Sequence, residues 1–396
     1  MSKILFVVSR PLEINTSASI RNKSMIEGLI RNGHIVDLVT AAPNIHHAAY
    51  DESLSVRGIS TIRIAMNNVQ KLAGLGGKNQ LFLKFKSLAY KWMTRHEVYD
   101  HLKSIAHHTD YVNLADGQYD YIISSSDPKS SHLFVLKLLE QQKACFNGKW
   151  IQIWGDPFLA DITQISRNKR IIKREEQRLL QGADYVFYVS QLTLEQQKKL
   201  YPMAAAKMRY TAIPYIQENI TTNRRLTDVA TVELAYCGDY SSTVRNLIPL
   251  YTAVNNYHNL HLVICGGSNS PLNSTDAVHV AGRVPYSVTR EVEDNSDILV
   301  FLANRSGAQI PGKVYQYAGT NKPVLFILDG EAQALRTQFE KYGRFMFVDN
   351  SVESILQGIR KIIDNPRAYA PLKSFSKEFI MEEFMRQVSQ TIEESV

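Results

Sequence analysis

Two α/β domains, each a parallel sheet covered by helices on both faces, are predicted by three observations. The chain has 396 residues, too many for one ordinary domain and enough for two cores of about two hundred residues each. Short β-rich apolar runs alternate with longer helix-like stretches, which is the rhythm of parallel strands joined by crossover helices. That rhythm is written twice, on either side of one polar stretch. The composition, 44% hydrophobic and 21% charged, is close to the globular average and suggests neither disorder nor a fibrous repeat.

Taken in order, the expected strands of the first half are Ile4 to Val8, Ile35 to Thr40, Thr61 to Ile64, Tyr121 to Ser124, Trp150 to Trp154 and Tyr185 to Val189. The opening MSKILFVVSR has too short an apolar run for a signal peptide and reads as a buried strand. The second half offers Val232 to Cys237, Leu260 to Cys265, Val278 to Val280, Ile298 to Leu302, Pro323 to Ile327 and Phe345 to Val348. Between the halves, AIPYIQENITTNRRLTD is polar, carries turn residues and has no periodic face, so the linker belongs there. Domains of 1–215 and 216–379 follow. Near the end, Phe375, Phe379, Phe384 and Val388 recur at helical spacing and predict one amphipathic helix.

Residues 1–215 carry 28 Lys+Arg against 18 Asp+Glu, net +10, and residues 216–396 carry 17 against 20, net −3. A basic first half favours an anionic partner. Nucleic acid is disfavoured, because the cations are not interleaved with a stacking aromatic platform. Within residues 69–103, Leu81, Phe82, Phe85, Leu88 and Trp92 alternate with Lys84, Lys86, Lys91 and Arg95, a basic amphipathic pattern that suits either a core-facing helix or a contact with an anionic membrane surface. No apolar run approaches the ~20 residues of a membrane span, so a cytoplasmic protein, at most peripheral on a membrane, is expected. Cys145, Cys237 and Cys265 lie outside any Cys-x-x-Cys pair and read as reduced core thiols.

Open parallel sheets bind ligands beyond the carboxyl ends of their strands. After the first strand, PLEINTSASIR brings Ser17 and Arg21 to a helix start, where backbone N–H groups can meet an anion and where Ser17 or Ser19 can equally be a cap. SSSDPKSSH and IWGDPF each place one carboxylate beyond a strand, Asp127 and Asp156, able to accept a proton from a hydroxyl or simply to start a turn. In the second half, CGDYSSTVRN places Arg245 near a helix start, where a guanidinium can hold a diphosphate. ICGGSN offers the close-approach pair Gly266 and Gly267, and RSGAQIPGK brings Ser306, Gly307 and Lys313 before a helix. No metal is expected: Asp-x-Asp is absent, and His46-His47 and His107-His108 lack further spaced ligands. GLGGKN lacks the strand before it and the Ser/Thr after the lysine that a phosphate loop needs, and no Gly-x-Ser-x-Gly elbow is present.

From Val278 to Ile327, the order of strand, Gly-Arg-Val-Pro, helix, strand, Pro-x-Lys and Lys-Pro-Val resembles the retaining glycosyltransferases of family four, which have the GT-B architecture; GADYVFYVS and IISSSDP add to the likeness. The resemblance implies two Rossmann-like domains facing a cleft, with the acceptor on the first and a nucleoside diphosphate sugar as donor on the second. It implies Arg245 and Lys313 on the diphosphate and Arg283, Val284 and Pro285 along the base. It also implies a last helix, 380–396, that crosses back onto the first domain, and a glycan or lipid-linked acceptor in surface polysaccharide synthesis. Of the family's two glutamates, the positions here read Ala308 and Gln316. Gln316 can still bond a ribose through its amide, without charge assistance. A sugar-nucleotide epimerase and a non-catalytic sugar-nucleotide-binding protein are the rival expectations.

Overall fold

The structure is a computed structural model and describes residues 1–65, 97–162, 166–222 and 226–390. The chain divides into two compact units, Met1–Ile213 with the helix Lys377–Ser389, and Pro214–Ser376. The basic amphipathic stretch around Leu81 to Arg95 lies outside the described residues.

The first unit is a seven-stranded parallel sheet in the order β3-β2-β1-β4-β5-β6-β7. Its strands are β1 Lys3–Val7, β2 Ile35–Ala41, β3 Ser60–Ile64, β4 Tyr121–Ser125, β5 Lys149–Trp154, β6 Tyr185–Tyr188 and β7 Met208–Tyr210. Runs such as ILFV and IISS are buried end to end, as sheets covered on both faces require. The second unit repeats the plan with six parallel strands in the order β10-β9-β8-β11-β12-β13. These are β8 Val232–Cys237, β9 Leu260–Cys265, β10 Val278–Gly282, β11 Ile298–Leu302, β12 Val324–Leu328 and β13 Phe345–Asp349. In each sheet the strand order reverses beside the first strand, between β1 and β4 and between β8 and β11. Those two points open a crevice at the carboxyl edge.

The last helix packs on the first unit. A Cβ on Gly28 would come within 2.4 Å of the Lys377 carbonyl oxygen, so the helix Ser17–Arg31 meets the last helix backbone to backbone. Lys377 pairs with Glu27, Arg31 pairs with Glu378, and Phe187 meets Phe384 at 4.4 Å between ring centroids. The buried face of this helix is Ile380, Met381, Phe384 and Val388. Phe379, expected on that face, is half exposed, and Phe375 lies in the turn before the helix. Cys145 is exposed rather than in the core; Cys237 and Cys265 are buried. Among the described residues no helix is long and apolar enough to cross a membrane.

Candidate functional site

In the first unit the loops after β4 and β5 meet the helix that follows β1. Thr16 caps that helix, accepting from the Ser19 N–H, so neither Ser17 nor Ser19 is its cap; Ser19 Oγ instead donates to the Ile14 carbonyl. Ser17 is exposed at the helix start. Arg21, one turn on, is buried. Its Nη2 lies 3.4 Å from Ser125 Oγ, and Gly155 passes so close that a Cβ there would be 2.2 Å from Arg21 Nη1. Arg21 therefore lies under the carboxylate loops as their buried cation, beside Asp127 and Asp156.

Asp127 and Asp156, the two carboxylates expected beyond β4 and β5, are hydrogen-bonded to each other. Lys129, almost fully buried, pairs with Asp127 and lies 3.3 Å from Asp161. Burial pushes the Asp127 carboxyl up, but Lys129, the bond from Asp156 and Arg21 together bring it below the ordinary value. Asp156 goes the other way: burial first, and the neighbouring Asp127 charge second, push it up to about 7 against the pull of Lys129. Two like groups at one sheet edge thus divide into a fixed carboxylate and a proton-exchanging one. Beneath them His132 is wholly buried, stacks on Trp154 at 4.4 Å and shares a 2.8 Å bond between Nδ1 and Ser124 Oγ. Trp150 Nε1–H donates to the same oxygen. Burial drives the His132 pKa down to about 3, so it is a neutral structural ring.

In the second unit the loops after β8 and β11 are laced together across the switch point. Arg245 Nε donates to Asn304 Oδ1 at 2.9 Å and Nη1 to the Asp239 carbonyl at 2.8 Å, while Asn304 Nδ2 donates to the Gln309 carbonyl. Arg305 adds bonds to the carbonyls of Val244 and Ser242. Arg245 is bridged to Ser241 inside the loop rather than sitting in a helix, which starts only at Ile248. Gly266 is required by space: a Cβ there would be 1.9 Å from the Gly238 carbonyl oxygen. Gly267 donates its N–H to Asp239 Oδ1 at 2.7 Å, and Arg283 pairs with Asp239 Oδ2. Val284 is half-buried beside Arg283, Ser306 is exposed, and Gly307 takes a positive φ of 82°.

Lys313 opens its helix with its ammonium turned to Glu293, a carboxylate whose side chain is only 4% exposed, and 5.6 Å above the Tyr317 ring. Burial lowers its pKa, and the Glu293 charge more than restores it. Gln316 is committed to the linker: Oε1 accepts from the Ile216 N–H at 3.0 Å and Nε2 donates to the Pro214 carbonyl at 3.3 Å. Ala308 is buried. Among the described residues no three His, Cys, Asp or Glu side chains are grouped to hold a metal.

Sequence reasoning did not single out Lys129, Asp161, Asp239, Glu293 or Asn304. Asp239 and Asn304 each lie two residues beyond a strand end, and the rule that ligands bind at the carboxyl edge would have found them. Lys129 and Glu293 each also pair with a residue distant in sequence, Asp161 and Lys313, and no local pattern marks that.

No family model and no curated protein matches the sequence. Solved structures do. Anabaena HepE in complex with UDP and glucose is 12% identical, with a TM-score of 0.60, over 98% of this chain and all of that one. A glycosyltransferase from Rickettsia africae is 14% identical with a TM-score of 0.58, covering 98% and 99%. A UDP-N-acetylglucosamine 2-epimerase is 11% identical with a TM-score of 0.52, covering 98% and 95%. Taken with the two parallel sheets and their repeated strand order, these likenesses show that the chain has the GT-B fold.

Proposed function

We propose that the protein is a glycosyltransferase that moves a sugar from a nucleoside diphosphate sugar to a hydroxyl of a glycan or lipid-linked acceptor, keeping the anomeric configuration. The observation that carries this reading is Arg245, fixed by Asn304 and the Asp239 carbonyl at the switch point of the second sheet, beside the close-packed Gly266 and Gly267. A guanidinium held there is aimed before charge develops, which is how preorganised donors stabilise a leaving diphosphate. Lys313 would add a second cation, tempered by Glu293. Arg283, Val284, Ser306 and Gly307 rim the same edge and are proposed to contact the nucleotide; Ser17 and Arg21 support the acceptor side instead. Gln316 reaches a ribose only if it releases the linker.

On the acceptor side, Asp156 is the proposed base for the attacking hydroxyl and Asp127 the fixed charge that orients it. The cations supply the stabilisation a metal would give, so metal-independent transfer is proposed. The net +10 of the first 215 residues supports an acceptor at an anionic membrane surface, with a cytoplasmic enzyme working in bacterial surface polysaccharide synthesis. The carboxyl pair, one fixed and one exchanging a proton, also suits a sugar-nucleotide epimerase, the fold of which this chain shares. Following UDP-sugars by proton NMR separates the two. Transfer needs an added acceptor and leaves the donor sugar's stereochemistry unaltered; a new sugar nucleotide formed with no acceptor present would establish epimerisation. No change in any sugar nucleotide, with binding retained, would favour the non-catalytic reading.

A further inference from the structure

Asp239 stands two residues beyond β8 and gathers donors from three loops. Its Oδ1 accepts the Gly267 N–H at 2.7 Å from the loop after β9, and its Oδ2 accepts the Arg283 guanidinium from the loop after β10. Its own carbonyl takes Arg245 Nη1 at 2.8 Å. The fit is close: a Cβ on Gly267 would lie 3.2 Å from Asp239 Oδ1 and 3.7 Å from Arg283 Nε. Yet the ion pair is not locked in, since the Arg283 and Asp239 side chains are 60% and 51% exposed. A backbone N–H at a glycine turn, with a guanidinium on the adjacent oxygen, is a donor set that suits phosphate oxygens as well as a carboxylate. An exposed ion pair of this kind contributes little and exchanges readily.

We propose that the Asp239 carboxylate is a placeholder for a diphosphate: it keeps the loops after β8, β9 and β10 in their binding arrangement, and yields the Gly267 N–H and Arg283 to a phosphate oxygen when a donor binds. This rests on the reading of the second unit as the donor site. Carboxylate and diphosphate repel each other, so both cannot occupy one cradle. Asp239 therefore weakens donor binding and hastens release of the nucleoside diphosphate product.

The test is calorimetric titration of the full-length protein with inorganic pyrophosphate and with UDP, at low and high salt. Asp239→Asn should bind both probes roughly three- to fivefold more tightly than wild type at low salt. The gain should shrink at high salt, and adding Arg283→Ala should weaken binding of both probes to wild type and Asp239→Asn alike. Asp239→Ser, which retains an oxygen for the Gly267 N–H, should show the same gain. Equal or weaker affinity in both variants, with melting temperature unchanged, overturns the proposal, as does a failure of wild type and variant alike to bind either probe. Failure of the donor-site reading appears elsewhere: Arg245→Ala binding UDP as wild type does would remove the diphosphate from this edge, whatever Asp239→Asn does.

Discussion

Asp127 and Asp156 are chemically the same group, each two residues beyond the end of adjacent strands, and their surroundings pull their titrations apart. Lys129 and Arg21 keep Asp127 ionised; burial and the Asp127 charge hold the proton on Asp156 up to about pH 7. If Asp156 is the base, turnover rises with pH through a limb centred near 7. Asp156→Asn should then abolish that limb and reduce the rate by roughly 10²-fold or more; a pH-rate profile of wild type and variant decides it. The same raised pKa has a sign for stability. The native state retains the proton that the unfolded chain gives up near pH 4, so the contribution of Asp156 is full below that and is lost as pH climbs through 7. Thermal melts at pH 6 and pH 8 should show Asp156→Asn gaining on wild type at the higher pH. On the donor side Arg245→Ala and Lys313→Ala are each expected to slow turnover by roughly 10²-fold, since each removes a cation from a developing charge. An unchanged kcat/KM in either would remove that side chain from the diphosphate.

At the scale of elements, the twelve expected strands all appear within one or two residues, because buried parallel strands are continuous apolar runs that need no long-range information to read. The missed strand, Met208–Tyr210, is three residues long at the sheet's edge, and Arg209 in its middle breaks the apolar signal. Caps were harder. Thr16, Ser17 and Ser19 are all plausible from composition, and only the bond from the Ser19 N–H to Thr16 Oγ1 selects Thr16. Positions in the candidate site were legible where a strand end fixes them, as for Asp127, Asp156 and Gly266, each one or two residues beyond a strand. It was illegible where a side chain is spent on another element: Arg21 beneath Gly155, Lys313 on Glu293 and Gln316 on the linker. Gln316 makes a test of this. Gln316→Glu loses the donor to the Pro214 carbonyl and sets a carboxylate against that oxygen. The melting temperature should fall by the equivalent of about 1–3 kcal/mol, with Gln316→Ala falling less because it leaves no charge behind. A Gln316→Glu protein that melts like wild type would show that the linker contacts contribute nothing.

Across the whole molecule, charge and repeated architecture carry the functional argument. The first 215 residues, at net +10, should bring the protein down with anionic vesicles at low salt and release it at high salt; neutral vesicles should bind none. Failure to co-sediment at low salt would favour a freely diffusing acceptor. The repeated sheet supplies two carboxyl edges, one bearing paired carboxylates and the other a fixed arginine and glycine turns. The most direct measurement is nucleoside diphosphate release from a panel of sugar nucleotides with and without a polysaccharide or lipid-linked acceptor preparation, in EDTA. The account predicts release that depends on acceptor, persists in EDTA, and falls by roughly 10²-fold in both Arg245→Ala and Asp156→Asn. Release that proceeds equally in both variants, or that needs added Mn²⁺ or Mg²⁺, would contradict it.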